Sequence, residues 1–188
     1  MLADLIEKNR SFRRFEEKSR LSSESLEKLI EFARLSPSSR NQQALKFKIV
    51  TEKDECERLF PFLFWAGYLK DWNGPEEGER PPAYIVIFGD TELGSSFSVD
   101  MGICAQSILL GAVEQGYGGC MIGSLKREGM KQEFSLPESL EILLVIALGK
   151  PVERVVIDKM HDGDIKYWRD DDGVHHVPKR DINELIAW

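Results

Sequence analysis

The apolar residues of this chain change period several times, and each change marks an element. Leu2, Leu5 and Ile6 sit at helical spacing within the first eight residues. Leu26, Leu29, Ile30 and Ala33 repeat at i, i+3, i+4 and i+7, one face of a second helix. Ser22 is placed to cap that helix, Leu21 to staple against Leu26, and Pro37 to end it. Phe47 and Ile49 alternate with Lys46 and Lys48, which predicts a half-buried strand from Lys46 to Val50. Asp54 to Phe64 predicts a helix disturbed at Pro61, and Lys126 to Phe134 a short surface helix. Two continuous apolar runs, Ala83 to Phe88 and Leu140 to Leu148, predict central strands buried on both faces.

The longest apolar stretch, Ser98 to Leu125, is the one around which the rest is organised. From Asp100 to Val113 its apolar and small residues cover nearly every direction around a helix, and such a helix belongs inside protein. It is too short and too interrupted by Gln106, Ser107, Glu114 and Gln115 to span a bilayer, so a second subunit is expected to complete the burial. Gly102, Ala105 and Gly111 would let a partner helix come close. Gly116, Gly118, Gly119 and Gly123 then alternate with strand-like Tyr117, Cys120, Met121 and Ile122. The dinucleotide fingerprint places its glycines after a strand and before a helix, the reverse of this order. Two explanations stay open: the glycines admit a flat ligand to the backbone, or they cap the helix and form a tight turn.

Polar chemistry concentrates in a few places. Arg10, Arg13 and Arg14 beside Ser11 offer forked donors suited to a phosphate monoester, with Phe12 and Phe15 pinning the segment to the core. Balanced by Glu16 and Glu17, the same segment also reads as a solvated basic turn. Pro37 to Gln43 is a loop of amides and hydroxyls able to read a heteroaromatic edge, or a plain surface loop. Trp65 to Arg80 mixes aromatic residues with Gly, Pro and acids, an irregular excursion that could cover a site. Ile165 to Arg169 and Val174 to Val177 flank an Asp172-Gly173 turn, a hairpin pattern. Lys179 and Arg180 add a second basic pair before the capping-box pattern Asp181 to Glu184.

Composition narrows these options. With 188 residues, 42% of them hydrophobic, the chain is read as one domain over 1–188 with a substantial core. A net charge of −7 argues against nucleic acid and anionic membrane as partners, while leaving room for a local phosphate pocket. The first ten residues lack the apolar core of a signal peptide, so a cytoplasmic location is expected. Cys56, Cys104 and Cys120 are odd in number and show no C-x-x-C, which fits reduced packing thiols. Adjacent His175 and His176 would point to opposite faces of a strand, and no metal site is expected.

In combination, these stretches resemble the flavin-dependent nitroreductase family, in the family's order and across nearly the whole chain. Arg10-Ser11-Phe12-Arg13 is similar to its Arg-Arg-Ser-x-Arg phosphate motif, with Asn9 where the family often has Arg, and Pro37 to Gln43 is similar to Pro-Ser-x-x-Asn-x-Gln. Asp100-x-Gly102-x-x-Ala105-Gln106 resembles the start of the family's central dimer helix, Gly118 to Gly123 its strand under the flavin, and Pro178-Lys179-Arg180 its late basic element. The resemblance implies an α+β fold with a central mixed sheet of four or five strands flanked by helices, an intertwined homodimer, and FMN at the dimer interface. It implies that Arg10, Ser11, Arg13, Lys179 and Arg180 hold the phosphate, and that Ser38, Ser39 and Asn41 reach in from the other subunit. Cys120, Ile122 and Gly123 would lie along the isoalloxazine, with a backbone N–H near its N5. The implied activity is hydride transfer from NADH or NADPH through FMN to an electron-poor acceptor such as a nitroaromatic or quinone, with no acid or base side chain required. A flavin-binding sensor or store without turnover would use the same anchors, and a cofactor-free scaffold dimer would rest on the apolar helix alone.

Overall fold

The computed structural model describes residues 1–187. Its sequence-local signals act as expected: Ser22 accepts the Ser25 amide at the start of the helix Ser23–Leu35, and the chain leaves the helix at Ser36, ahead of Pro37. We number helices and strands in chain order: α1 Leu2–Lys8, α2 Ser23–Leu35, β1 Leu45–Val50, α3 Lys53–Leu59, β2 Ala83–Asp90, α4 Ser98–Glu114, β3 Gly118–Ile122, α5 Arg127–Glu133, β4 Leu140–Gly149, β5 Val155–Lys159, β6 Trp168–Arg169 and β7 His175–Lys179. Pro61 closes α3 into a short 3-10 turn at Phe60–Phe62.

The main sheet runs β1-β2-β4-β3, with every neighbouring pair antiparallel, and a parallel bridge from Ser11 to Gly119 extends it at the β3 edge. The continuous apolar runs β2 and β4 lie at its centre, where Ile85, Ile87, Val145 and Ile146 have no exposed surface. One face packs against α2 and α4 through Leu26, Leu29, Ile108 and Ala112. The other is covered by Phe15, Leu59, Leu63, Trp65 and Met130. Burying a side chain of this size stabilises the fold by about 1.5–3 kcal/mol, so the two clusters account for the sheet's position between layers.

Two features depart from the sequence-based picture. β5 was not anticipated: it pairs in parallel with β7, so the expected hairpin is one side of a three-stranded sheet β5-β7-β6. The small residues of α4 also face differently. Ala105 is fully buried against its own sheet, and a Cβ added at Gly111 would lie 2.3 Å from the Phe32 ring of α2, so both serve packing inside the subunit. Gly102 alone of the three is exposed, on the same open side as Val99 and Gln106.

Candidate functional site

The glycine-rich turn resolves residue by residue. Gly116 has φ 81° directly after α4, the left-handed cap position. A Cβ at Gly118 would strike Phe12 and Pro151, and one at Gly119 would lie 2.5 Å from the Ala147 carbonyl, so these two permit close internal packing. At Gly123 the nearest atom is 3.8 Å away. The first three glycines cap and pack, and the last leaves the backbone uncrowded.

β3 is the last strand of the main sheet, and its outer edge meets the basic segment. The Phe12 amide donates to the Gly119 carbonyl at 3.0 Å, so Gly119 points its backbone groups away from β4. By the alternation of a strand, the Met121 amide points off the same edge, while Gly123 lies just past β3 with its carbonyl accepting from Arg127 Nη2 at 3.1 Å. Ser11 is exposed beside this edge. The Arg10 Nη2 donates to the Ile6 carbonyl at 2.7 Å, while its Nε is buried without a partner. Arg10 also lines an open groove of about 660 Å³ shared with Tyr117 and Ile157. Arg13 Nη1 donates to the Ser11 carbonyl at 3.2 Å and lies 3.3 Å from His175 Nε2, with the Tyr167 ring 5.0 Å from the guanidinium. Arg14 is occupied elsewhere: its Nε donates to Glu79 Oε2 at 2.6 Å in a two-pronged pair, which holds the guanidinium firmly protonated.

The remaining candidates are distributed around the subunit. Cys120 and Ile122 are buried in the Phe15 cluster, and burial pushes the Cys120 thiol up, which makes it a packing group. Ser38, Ser39 and Asn41 lie at the start of α4, where the Ser39 amide donates to Asp100 Oδ1 at 2.9 Å. Arg40, Asn41 and Gln43 all adopt positive φ, between 52° and 55°. Arg10 by contrast lies near Val113 and Tyr117, at the other end of a helix that spans about 25 Å. Lys179 is exposed, four residues and about 13 Å of strand beyond His175, and Arg180 pairs with Glu184 at 3.2 Å. One subunit thus joins Arg10, Ser11 and Arg13 to β3, and leaves the loop at 38–41 and the pair at 179–180 apart from them.

Several residues at this edge had no sequence signal. The Glu153 carboxylate, whose side chain is 1% exposed, receives the amides of Arg13 and Arg14 and the Arg169 Nη2 at 2.8 Å. Arg169 also lies over Trp72 in the 65–80 excursion. Tyr68 of the same excursion contacts Tyr167, with ring centroids 4.9 Å apart. The excursion is therefore fastened at this edge. No group of three or more His, Cys, Asp or Glu is placed to hold a metal among the described residues.

A sequence profile for the Nitroreductase family matches residues 6–150. The chain belongs to the nitroreductase family. Among its relatives, a protein of Archaeoglobus fulgidus with the provisional name NADH dehydrogenase/NAD(P)H nitroreductase is 26% identical over 156 residues, covering 78% of this chain and 83% of the relative. A Bacillus subtilis protein provisionally named NAD(P)H nitroreductase is 22% identical over 180 residues, covering 80% and 89%. In fold, the chain resembles a structure from Exiguobacterium sibiricum described as a nitroreductase in complex with FMN, with TM-score 0.73, 17% identity and 100% and 97% coverage. It likewise resembles a nitroreductase family protein from Streptococcus pneumoniae, with TM-score 0.70, 18% identity and full coverage of both chains.

Proposed function

We propose that this member of the nitroreductase family is an FMN-dependent oxidoreductase that uses NADH or NADPH to reduce an electron-poor acceptor such as a nitroaromatic or quinone. The observation that carries the proposal is the juxtaposition of the open β3 edge, with the Met121 amide and the uncrowded backbone at Gly123, and the basic segment Arg10 to Arg13. A flavin mononucleotide needs both: fixed cationic donors for its phosphate and backbone donors along the polar edge of its ring. The residues fit that demand. Arg10 keeps a buried Nε without a partner, Ser11 is exposed, and Gly123 leaves space for a planar group. Bound FMN would supply the hydride chemistry, accepting from the nicotinamide and donating to the acceptor.

The chain's own contribution is binding and orientation. Arg10, Ser11 and Arg13 would hold the phosphate, and Gly123 with its neighbours Cys120 and Ile122 would fix the plane of the ring. Ser38, Ser39 and Asn41 stand too far from Arg10 to join the same cofactor within one subunit, which supports a homodimer in which each loop serves the opposite site. The left-handed conformations of Arg40, Asn41 and Gln43, costing on the order of 1 kcal/mol each, are what a loop held in shape for a ligand would show. Lys179 and Arg180 stand apart from Arg10 and Arg13 within one subunit, and Arg180 is engaged by Glu184, so neither is assigned to this phosphate set. No helix among the described residues is long and apolar enough to cross a membrane.

Absorption spectroscopy tests the cofactor. Purified protein should carry or take up stoichiometric FMN, and protein that stays colourless after incubation with FMN refutes the proposal. Anaerobic single-turnover oxidation of NAD(P)H then separates an enzyme from a flavin store, which would bind FMN and leave the nucleotide unoxidised.

A further inference from the structure

Arg13 is held by Glu153, Tyr167 and His175, residues of the β5-β7-β6 sheet and the segments that flank it. Its amide is gripped by Glu153, its Nη1 lies 3.3 Å from His175 Nε2, and the Tyr167 ring covers its guanidinium. An arginine can only donate, so His175 Nε2 must accept, and the proton of a neutral imidazole then sits on Nδ1. His175 is 1% exposed, and its Nδ1 has no partner among the described residues. Burial and the Arg13 charge lower its pKa to about 4, which agrees with a neutral ring. A buried donor left unpaired is disfavoured, and this one belongs to the ring whose other nitrogen meets Arg13.

We propose that His175 is a positioning residue for cofactor binding, an uncharged acceptor that fixes the Arg13 guanidinium where the FMN phosphate is received. This rests on the FMN reading above and extends it to a residue beyond the part of the chain that the family profile matches. An uncharged acceptor suits the task. A carboxylate in the same place would neutralise Arg13 and repel the phosphate, whereas a neutral imidazole orients the guanidinium and leaves its charge for the ligand. The ring is itself fixed: its backbone amide donates to the Arg154 carbonyl at 2.8 Å, and Tyr167 lies 5.1 Å from it.

The test compares FMN with riboflavin, which carries the same ring system without the phosphate. Dissociation constants of both are measured by quenching of flavin fluorescence on the wild type, His175→Phe and His175→Gln. His175→Phe should lose roughly tenfold in affinity for FMN and change by less than about twofold for riboflavin. His175→Gln, whose amide oxygen can accept where Nε2 stands, should recover most of the FMN affinity. Should the Phe variant fail to fold, His175→Asn replaces it, because its amide is too short to reach Arg13 and must show the same selective loss. Equal losses for the two flavins, or unchanged FMN affinity, would overturn the proposal by assigning His175 to the fold alone. Wild-type protein that binds neither flavin would remove the FMN reading itself, and the proposal with it.

Discussion

The carboxylate of Glu153 ties the N-terminal segment to the C-terminal sheet, and its removal should be among the most damaging changes at the site. Three donors converge on it: the Arg13 and Arg14 amides and the Arg169 guanidinium, with the Glu153 side chain 1% and the Arg169 side chain 16% exposed. Glu153→Ala strands two backbone donors and a cation. Each buried unsatisfied donor costs about 1–3 kcal/mol, and breaking one side of a buried ion pair costs about 3–5 kcal/mol. Arg169 keeps some solvent access and its stack on Trp72, so part of its loss is recovered by water. Taking the low end for each donor and about 2 kcal/mol for the partly hydrated cation, we expect about 4 kcal/mol for Glu153→Ala, and about half of that for Glu153→Gln, which keeps an acceptor but loses the charge. Urea unfolding followed by tryptophan fluorescence, at one protein concentration and without added flavin, measures both. A double-mutant cycle with Arg169→Met should give a coupling above about 1 kcal/mol, since the second change removes the cation stranded by the first. A Glu153→Ala variant within about 1 kcal/mol of wild type would show that water replaces the carboxylate, and the clamp would have no energetic meaning.

Two further predictions concern pH and assembly. His175 and His176 should act in opposite directions. With its pKa lowered to about 4 from 6.5, His175 contributes stability that is present above pH 6.5 and lost as pH falls, about 3 kcal/mol in all at 1.36 kcal/mol per pH unit. His176 bonds Asp170 and Asp158, which raise its pKa, so its contribution is full below pH 6.5 and is lost as pH rises through the folded value. Urea midpoints across this range should lose their acid slope in His175→Phe and their alkaline slope in His176→Phe, and slopes that survive both changes refute the assignment. Gly102→Arg should leave the subunit folded, because an added Cβ there meets nothing within 4 Å, yet abolish the dimer and flavin binding together. Size-exclusion chromatography followed at protein and flavin wavelengths reads both, and a variant that stays dimeric places the interface elsewhere.

What could be read in advance was local. Ser22 and Pro37 bound α2 because a cap and a ring closure act within a few residues, and the apolar runs of β2 and β4 require burial on both faces wherever they sit. The burial of α4 was legible for the same reason, but its facing was not. A helix apolar all round carries no moment that says which side meets its own sheet, so Ala105 and Gly111 read as interface residues although both pack inside the subunit. β5 escaped because Val155-Val156-Ile157 is a short run whose partner, β7, is paired in parallel across an intervening stretch. The 65–80 excursion has no period at all. Its fastenings are pairwise and distant: Glu79 with Arg14, Gly78 with Glu17, and Tyr68 with Tyr167.

The same distinction divides the site into two layers. The motif residues Arg10, Ser11 and Arg13 lie within the 6–150 match and were recognisable as a motif, because they share one short segment with fixed spacing. The groups that hold this segment do not. Glu153, Tyr167, Arg169 and His175 all lie beyond residue 150; Glu153 and His175 meet Arg13 across separations of 140 and 162 residues, and Arg169 acts through Glu153. No spacing rule spans such a distance, and a single glutamate after a strand or a histidine pair in a hairpin is unremarkable as sequence. Their physical consequence is a dependence: the Arg13 guanidinium and the Arg13 and Arg14 amides are held by a carboxylate, an imidazole and a phenol ring from the β5-β7-β6 sheet or the segments that flank it. Cofactor affinity should therefore depend on the integrity of this C-terminal unit even though the motif proposed to receive the phosphate lies at the opposite end of the chain.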